Sequence, residues 1–306
     1  MGISFLIRGI RVIHGQKVSP LKTRFIVNLR SGRAARCLPA LKKFATEQGA
    51  AVTQTEHPRH ATDLAKRALD DGIELIVAVG GDGTMNEVAS ALVGTGATLG
   101  LVPCGSGDGL GRHLGLHGPP VRAFDILRHG RPRLIDSALA DGHPFFTAAG
   151  LGFEAEIAQR FNQLTQRGFL RYLSTSAAAF REWRPEHYTI IHGDQREQVH
   201  AFTLVVANSD QYGNNALIAP EARIDDGRLN LCAIPPITWL NAVPLVTRLF
   251  SGSIDKGRNV TSRTSGRFIV ERTGSGPLHT DGELHEAGAQ IEFIVRPSSL
   301  RVMCPA

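Results

Sequence analysis

Residues 77–92 read VAVGGDGTMNEVASAL, and this stretch decides the fold. A short apolar run ends in a turn of glycine, aspartate and threonine, after which apolar residues recur at helical spacing. Such a turn binds anions, because its glycines let backbone N–H groups approach closely and the helix adds its positive end. The turn lacks both the G-x-G-x-x-G spacing and the G-K-[ST] ending of familiar phosphate-binding loops. We therefore expect a phosphate site whose positive charge does not come from a loop lysine.

Asp82 lies inside this turn and would repel a phosphate unless a cation lies between them. Mg²⁺ bound with a nucleotide resolves the conflict, because the metal supplies the missing charge. The alternative is a tight turn in which Asp82 only caps the helix. A second turn of small residues, Pro103-Cys104-Gly105-Ser106-Gly107-Asp108-Gly109, follows the next apolar run. We expect the two turns to form one cradle, in which Ser106 donates to a phosphate or ribose oxygen.

The first 132 residues alternate between strand and helix patterns. The predicted strands are 23–29, 51–55, 74–81 and 98–105. Helical spacing follows the first two strands, with apolar positions Cys37, Leu38, Leu41, Phe44 and Ala45, then Ala61, Leu64, Ala65, Ala68 and Leu69. TMNEVASAL (84–92) and VRAFDILRHG (121–130) are the other predicted helices. This alternation indicates an α/β domain with a parallel sheet and helices on both faces.

After residue 132 the pattern changes to strands with few helices between them. Residues 133–150 predict two strands around an Asp-Gly turn, and further strands are predicted at 187–193, 201–208, 227–234, 266–273 and 289–296. Helical insertions are predicted at about 153–183 and 237–250. We therefore predict a domain at 1–132, whose first 20 residues are an extension, and a mainly antiparallel β domain at 133–306. The C-terminal tail could return to the first domain.

The composition limits the partners. A net charge of +6 favours an anionic partner, or serves solubility alone. We find no nucleic-acid-binding module, and three tyrosines and two tryptophans offer few stacking platforms for bases. Four scattered cysteines, the absence of a long apolar run and a start unlike a secretory signal predict a cytoplasmic protein.

Two further turns carry carboxylates far from the first motif. They are Asp225-Asp226-Gly227-Arg228 and Thr280-Asp281-Gly282-Glu283. Taken singly, each is typical of a hairpin turn with solvated side chains.

Taken together, the motifs GGDGTMNE, PCGSGD, DDGRLN and TDGE resemble the diacylglycerol kinase catalytic-domain family. That family includes bacterial lipid kinases, sphingosine kinases and ceramide kinases. The resemblance runs from about Arg24 to Arg296. NAD kinases and phosphofructokinases share only the glycine–aspartate core, so Asn86-Glu87 favours the lipid kinases. The resemblance implies ATP bound between an N-terminal α/β domain of the NAD-kinase and phosphofructokinase type and a C-terminal β-sandwich.

The resemblance also implies site residues for ATP and Mg²⁺. The nucleotide-binding set would be Asn28, Ser31, Gly32, Thr55, Gly80, Gly81, Asp82, Gly83, Thr84, Asn86, Glu87, Gly105, Ser106 and Gly107. Glu283 matches the family's proton acceptor, with Asp281 beside it and Asp82 as a rival for that role. A structural Mg²⁺ would be bound by the Asp226 carboxylate and by the backbone carbonyls of Arg223 and Arg228.

The implied reaction transfers the γ-phosphate of ATP to the primary hydroxyl of a lipid, namely diacylglycerol, a sphingoid base or ceramide. The partner would be a lipid at a membrane surface, where the protein associates peripherally; a homodimer is left open. Residues 164–183 combine apolar and arginine side chains that border an acyl-chain cleft, or form an amphipathic helix packed on its own domain.

Two positions depart from the family pattern. Leu29 replaces a proline and Asp108 replaces an asparagine, which adds a negative charge near the phosphates. The rival interpretations are a kinase of a soluble acceptor such as NAD, and a catalytically weak nucleotide sensor.

Overall fold

The computed structural model describes residues 21–105, 107–156, 180, 182–238 and 240–306, and the backbone of 11–13 and 16–18. The strands of the N-terminal half are β1 (Arg11–Ile13), β2 (Gln16–Val18), β3 (Thr23–Val27), β4 (Ala51–Gln54), β5 (Leu75–Gly80) and β6 (Thr98–Pro103). Its helices are α1 (Ala34–Gln48), α2 (His60–Asp70), α3 (Asp82–Leu92), α4 (Gly109–His113) and α5 (Pro120–His129).

Four of these strands form a parallel sheet in the spatial order β6-β5-β3-β4. Every residue of β5 and β6 is buried, as expected for strands covered on both faces. The apolar stripe of α1 is buried as predicted at Cys37, Leu41 and Phe44. The prediction for α3 was wrong at its start, because the helix begins at Asp82, two residues before Thr84. Gly81, in an extended conformation, is its N-cap.

The C-terminal half is built mainly from strands. They are β7 (Arg131–Ala140), β8 (His143–Phe145), β9 (Ala148–Gly152), β10 (Glu186–His192), β11 (Gln195–Ala201), β12 (Thr203–Ala207), β13 (Leu229–Ile234), β14 (Thr261–Ser265), β15 (Arg267–Glu271), β16 (Gly276–Thr280), β17 (Glu283–Ala287) and β18 (Gln290–Cys304). One helix, α6 (Ala242–Ser251), is followed by a short 3₁₀ turn at Ile254–Lys256.

Two layers of strands form a sandwich in this half. The first is a six-stranded antiparallel sheet in the order β14-β13-β12-β9-β16-β17. The second contains β7, β8, β10, β11, β15 and β18. Side chains of both layers, among them Leu151, Leu204, Phe268 and Phe293, form one buried core between them. The predicted fold class, an α/β domain followed by an antiparallel β-sandwich, is confirmed.

The last strand joins the two halves. β18 is 15 residues long and pairs antiparallel with β7 and β15. Its far end pairs parallel with β6, where Arg301 and Val302 face Thr98 and Leu99. The parallel sheet and one layer of the sandwich are therefore a single ten-stranded sheet. The domain division at residue 132 stays a prediction.

Sequence patterns missed β1 and β2 in the N-terminal extension. They also missed β11, β14, β16 and β17 in the C-terminal half. Each is short and mostly polar, and β11 is an edge strand in which exposed and half-buried residues alternate. Among the described residues, no helix is both long and apolar enough to cross a membrane. The predicted helical insertion at 153–183 and the amphipathic segment at 164–183 lie largely outside the described residues.

Candidate active site

The two predicted glycine turns meet at the carboxyl edge of the parallel sheet. A Cβ added to Gly105 would lie 2.8 Å from the Cα of Gly81. A Cβ on Gly107 would lie 2.7 Å from Asp82 Oδ2. The turns can approach this closely only because neither glycine has a side chain. Ser106, between them in the sequence, lies outside the described residues.

A third loop, after β3, completes this edge. Gly32 has a φ of +45°, and a side chain there would overlap the carbonyl oxygen of Cys104. The N–H of Arg33 donates to that same oxygen at 2.9 Å. Ser31 Oγ stands 2.8 Å from where a Cβ of Gly81 would lie. The structure thus brings Ser31, Gly32, Gly81 and Gly105 together, as the predicted cradle requires.

An open cleft of about 200 Å³ lies beside this cradle. Its lining residues are Asn28, Arg30, Thr55, Glu56, His57, Pro58, Ala61, Gly83, Thr84 and Glu87. Asn28 Nδ2 donates to Thr84 Oγ1 at 3.1 Å, which fixes the end of β3 against the first turn of α3. Gly81 has no side chain that could accept hydrogen bonds from the first N–H groups of α3, and a helix end of this kind can bind an anion.

Arg30 and His57 are the lining residues that can carry positive charge. The same lining also contains the acidic side chains of Glu56 and Glu87. Sequence analysis missed Arg30 and His57, because a lone arginine after a strand and a lone histidine in a loop match no motif. Arg30 is exposed, and its N–H donates to Asn28 Oδ1 at 3.0 Å, so that its backbone is held against the cleft wall.

Asp82 fastens the second turn rather than facing the cleft. Its carboxylate accepts hydrogen bonds from the N–H groups of Asp108 and Gly109, both at 3.1 Å. It therefore caps the beginning of α4, not its own helix. Burial raises the pKa of Asp82, these two N–H groups oppose the rise in part, and the charge of Asp281 adds to it.

Glu87 also accepts hydrogen bonds from within the protein. Its two carboxylate oxygens accept from the N–H groups of Arg59 at 3.2 Å and Ala61 at 3.0 Å. These N–H groups lie at the beginning of α2, so Glu87 caps that helix from a neighbouring one. These hydrogen bonds hold the beginning of α2 against the cleft. Arg59, which donates one of them, has a left-handed φ of 65°.

Asp281 joins the sandwich to the glycine turn. Its carboxylate accepts from the N–H groups of Phe146, Thr147 and Ala148 at 2.8 to 3.1 Å, and from the Thr147 hydroxyl. A fifth hydrogen bond, at 2.9 Å, comes from Asn86 Nδ2 in α3. The distant TDGE motif is therefore positioned over the first helix of the GGDGT motif.

Glu283 begins the strand that leaves this hairpin and is paired with Thr280. The turn between them is tight, because Asp281 and Gly282 both have positive φ angles of 50° and 83°. Unlike Asp82 and Asp281, Glu283 is exposed. Of the three predicted catalytic carboxylates, it is the one at the surface of the hairpin.

Comparison with known proteins identifies the family of the chain. Residues 22–140 match the diacylglycerol kinase catalytic domain, and residues 147–304 match the YegS C-terminal NAD kinase beta sandwich-like domain. The chain belongs to the diacylglycerol kinase catalytic-domain family. Membership of this family makes the protein a kinase.

Relatives resemble the chain over most of its length. The probable lipid kinase YegS-like of Pseudomonas aeruginosa strain UCBPP-PA14 is 30% identical over 84% of this chain and 85% of its own. The diacylglycerol kinase of Bacillus subtilis is 27% identical over 86% and 89%. A crystal structure of a diacylglycerol kinase from Bacillus anthracis superposes with a TM-score of 0.71, at 16% identity, over 94% of this chain and 98% of that one.

Asp108, which departs from the family's asparagine, is turned away from the cleft. Its side chain is fully buried, and its Oδ2 lies 2.6 Å from His117 Nδ1. Its Oδ1 has no hydrogen-bond partner among the described residues. Burial raises the pKa of Asp108, while the hydrogen bond with His117 lowers it in part. The second departure, Leu29, packs against the N-terminal core.

The predicted structural metal site lies at the turn before β13. Asp226 is exposed, and its Oδ1 accepts from the N–H of Arg228 at 3.0 Å. The turn is held by the buried Asp136, which accepts from Gly227 N–H at 2.7 Å. One carboxylate with backbone carbonyls is a hard-oxygen donor set that fits Mg²⁺ carrying several waters. Within the described residues, no three or more His, Cys, Asp or Glu side chains form a metal-binding group.

A polar cluster that sequence analysis missed lies behind the hairpin. His279 is 4% exposed, and its Nε2 is 3.3 Å from Glu154 Oε2, which also accepts from the Tyr212 hydroxyl at 2.8 Å. Gly150 makes room for the pair, because a Cβ there would lie 2.6 Å from His279 Nε2. Glu154 and Tyr212 are 58 residues apart in the sequence, and His279 lies further along the chain. No local sequence pattern could therefore have associated the three side chains.

Proposed function

We propose that the protein is an ATP-dependent lipid kinase that phosphorylates the primary hydroxyl of diacylglycerol, a sphingoid base or ceramide. The observation that carries this proposal is the hydrogen bond between Asn86 and Asp281. It holds the hairpin that bears Glu283 over the glycine turn where α3 begins. A phosphate donor and a proton acceptor are thereby supported on facing elements.

In the proposal, the first N–H groups of α3, Arg30 and His57 bind the phosphates of ATP. When bound, Mg²⁺ neutralises charge on the phosphate oxygens, and hard-oxygen ligands near Asp82 suit it. The lipid hydroxyl oxygen forms a bond to the γ-phosphorus, the bond from that phosphorus to the β,γ-bridging oxygen breaks, and ADP leaves. Positioning of the two reactants supplies most of the rate acceleration.

Glu283 accepts the proton that the hydroxyl loses. Its rivals are less suited, because Asp82 already accepts two backbone hydrogen bonds and Asp281 accepts five hydrogen bonds in all. Both carboxylates have a positioning task, whereas Glu283 is exposed.

The test is transfer of labelled γ-phosphate from ATP to micellar diacylglycerol, monoacylglycerol, sphingosine and ceramide, with NAD as a soluble acceptor. We expect one labelled lipid. A labelled product from NAD alone would instead identify a soluble-acceptor kinase. Bound ATP with no product from any acceptor would identify a nucleotide sensor.

A further inference from the structure

Exposed apolar side chains are concentrated on one helix. Six large apolar residues are exposed among the described residues, and four of them lie between positions 240 and 250. Leu240 is 92% exposed, Val243 71%, Val246 56% and Phe250 54%. The remaining two, Val121 and Leu134, lie elsewhere in the chain. Such a concentration marks an interaction surface, whereas isolated exposed apolar residues are ordinary.

Three of the four lie on α6 and Leu240 lies two residues before it; together they are here called the α6 apolar face (Leu240, Val243, Val246 and Phe250). Spacings of three and four residues place Val243, Val246 and Phe250 on one side of α6. The opposite side of α6 packs on its own domain, because Leu245 is part of a buried apolar cluster and Leu249 packs against that cluster. The helix is thus apolar on both sides, and only one side is covered by its own domain.

Basic residues lie in and just after α6, together with the half-buried Asp255. No aspartate or glutamate occurs between Asp226 and Asp255, and Arg248 lies within the helix. Lys256 and Arg258 follow α6 and are exposed. An apolar helix face flanked by basic residues suits the interface of an anionic lipid bilayer. There the apolar side chains contact acyl chains, and the basic side chains contact anionic headgroups.

The α6 apolar face is connected to the candidate active site by short contacts. Leu217 N–H donates to the carbonyl of Leu249 in α6 at 2.9 Å. Three residues earlier, Asn214 N–H donates to the carbonyl of Gly107 in the second glycine turn at 3.2 Å. Ala148, which donates to Asp281, belongs to the apolar cluster beneath α6. The covered side of α6 therefore packs on the same cluster as Ala148, which binds the hairpin residue Asp281.

We propose that the α6 apolar face docks the protein on an anionic lipid bilayer, with Lys256 and Arg258 contacting headgroups. The inference rests on the proposed lipid acceptor, since an acceptor embedded in a bilayer requires the enzyme to reach that surface. Beyond the proposed function, the inference identifies the surface of the protein that contacts the bilayer.

The test is co-sedimentation of the full chain with vesicles of phosphatidylcholine, with and without phosphatidylglycerol. Replacing Val246→Glu and Phe250→Glu together should lower the partition coefficient about tenfold or more. Val121→Glu is the control, since this apolar residue is even more exposed and lies on α5, and it should leave binding unchanged. Lys256→Ala should weaken binding to the anionic vesicles about fivefold, and Arg258→Ala likewise.

Unchanged vesicle binding by the double variant, or an equal loss in Val121→Glu, would overturn the proposal. Should the double variant fail to fold, Val243→Ser with Val246→Ser repeats the measurement. If the double variant only converts a dimer into monomers and still binds vesicles, the face is instead an interface between two copies.

Activity on a short-chain, monomeric diacylglycerol separates this inference from the proposed function. The double variant should phosphorylate it as the wild type does, while losing activity on vesicle-embedded diacylglycerol. A wild type that phosphorylates neither acceptor but still binds vesicles through α6 would reject the proposed function alone. Full activity on the short-chain acceptor without vesicle binding would reject the docking surface alone.

Discussion

Asn86 Nδ2 donates a 2.9 Å hydrogen bond to Asp281 Oδ2, although the two residues are 195 positions apart. Asn86 belongs to the helix of the glycine turn, and Asp281 to the hairpin of the sandwich. Both side chains are held from behind, Asn86 by the Ser90 hydroxyl and Asp281 by three backbone N–H groups. This contact sets how the two motifs face each other.

Replacing Asn86→Ala should destabilise the protein by about 1.5–3 kcal/mol, the range for hydrogen bonds to charged groups. Asn86 is 8% exposed, so solvent cannot replace the lost donor fully. Denaturant unfolding measures this loss, and turnover should fall with it because the hairpin is less well positioned. Ser90→Ala is the control, since it removes only the support behind Asn86 and should cost less. Equal effects of the two variants would contradict the role given to the contact.

Glu283→Gln should reduce turnover at least about 100-fold, the usual loss when a general base is removed. ATP affinity should stay unchanged, because Glu283 is exposed on the hairpin and does not line the cleft. Single-turnover kinetics and ATP titration measure the two effects. Glu286→Gln changes an exposed glutamate of the same strand and should leave both unaffected. Retained turnover in Glu283→Gln would reject the assignment.

Gly105→Ala should separate the two glycine turns. Its Cβ would lie 2.8 Å from the Cα of Gly81, a backbone atom that cannot rotate away. We expect a loss of about 1–3 kcal/mol in stability, as for other overpacked positions, and weaker ATP binding. Thermal unfolding and nucleotide titration measure both. Gly96→Ala is the control, since nothing lies within 4 Å of its added Cβ. ATP binding at wild-type strength in Gly105→Ala would show that the turns need not touch.

His285 should make stability depend on pH below neutrality. Burial lowers the pKa of His285 to about 4, and the charges of His143, His279 and Arg59 act in the same direction. Between about pH 6.5 and pH 4 the unfolded chain therefore binds a proton that the folded protein does not. The contribution of His285 is present above pH 6.5 and is lost as the pH falls through this range.

The measurement is the free energy of unfolding at several pH values between 7 and 4. His285→Gln should flatten part of the decline, while keeping a hydrogen-bonding group beside the Thr280 hydroxyl, which lies 2.8 Å from His285 Nε2. His129→Gln is the control, because the His129 side chain is 70% exposed. An identical slope in wild type and His285→Gln would contradict the prediction.

The sequence predicted the parallel sheet and the glycine turns because their signals are local. Continuous apolar runs at 75–80 and 98–103, each followed by glycines, determine both strand and turn. The contacts that complete the site are not local. Nothing in the sequence near Asp82 indicates that its carboxylate caps α4, nor near Glu87 that it caps α2.

Sequence patterns also failed to predict several polar strands. β16, GPLHT, contains a glycine and a proline and is buried through its neighbours rather than through an apolar pattern. It nevertheless carries His279 and Thr280 into the site. Tertiary contacts, not strand propensity, determine such a segment.

The pairing of β18 with β6 has a consequence for synthesis of the protein. One edge of β6 pairs with β5, which is made earlier, but the other edge pairs with residues 301 and 302. Until the ribosome has released those residues, β6 remains an open edge, and buried Val302 and Met303 are missing from the N-terminal core. The N-terminal half therefore cannot finish folding co-translationally ahead of the sandwich, and a nascent chain that stalls before residue 300 exposes an edge prone to pair with other chains.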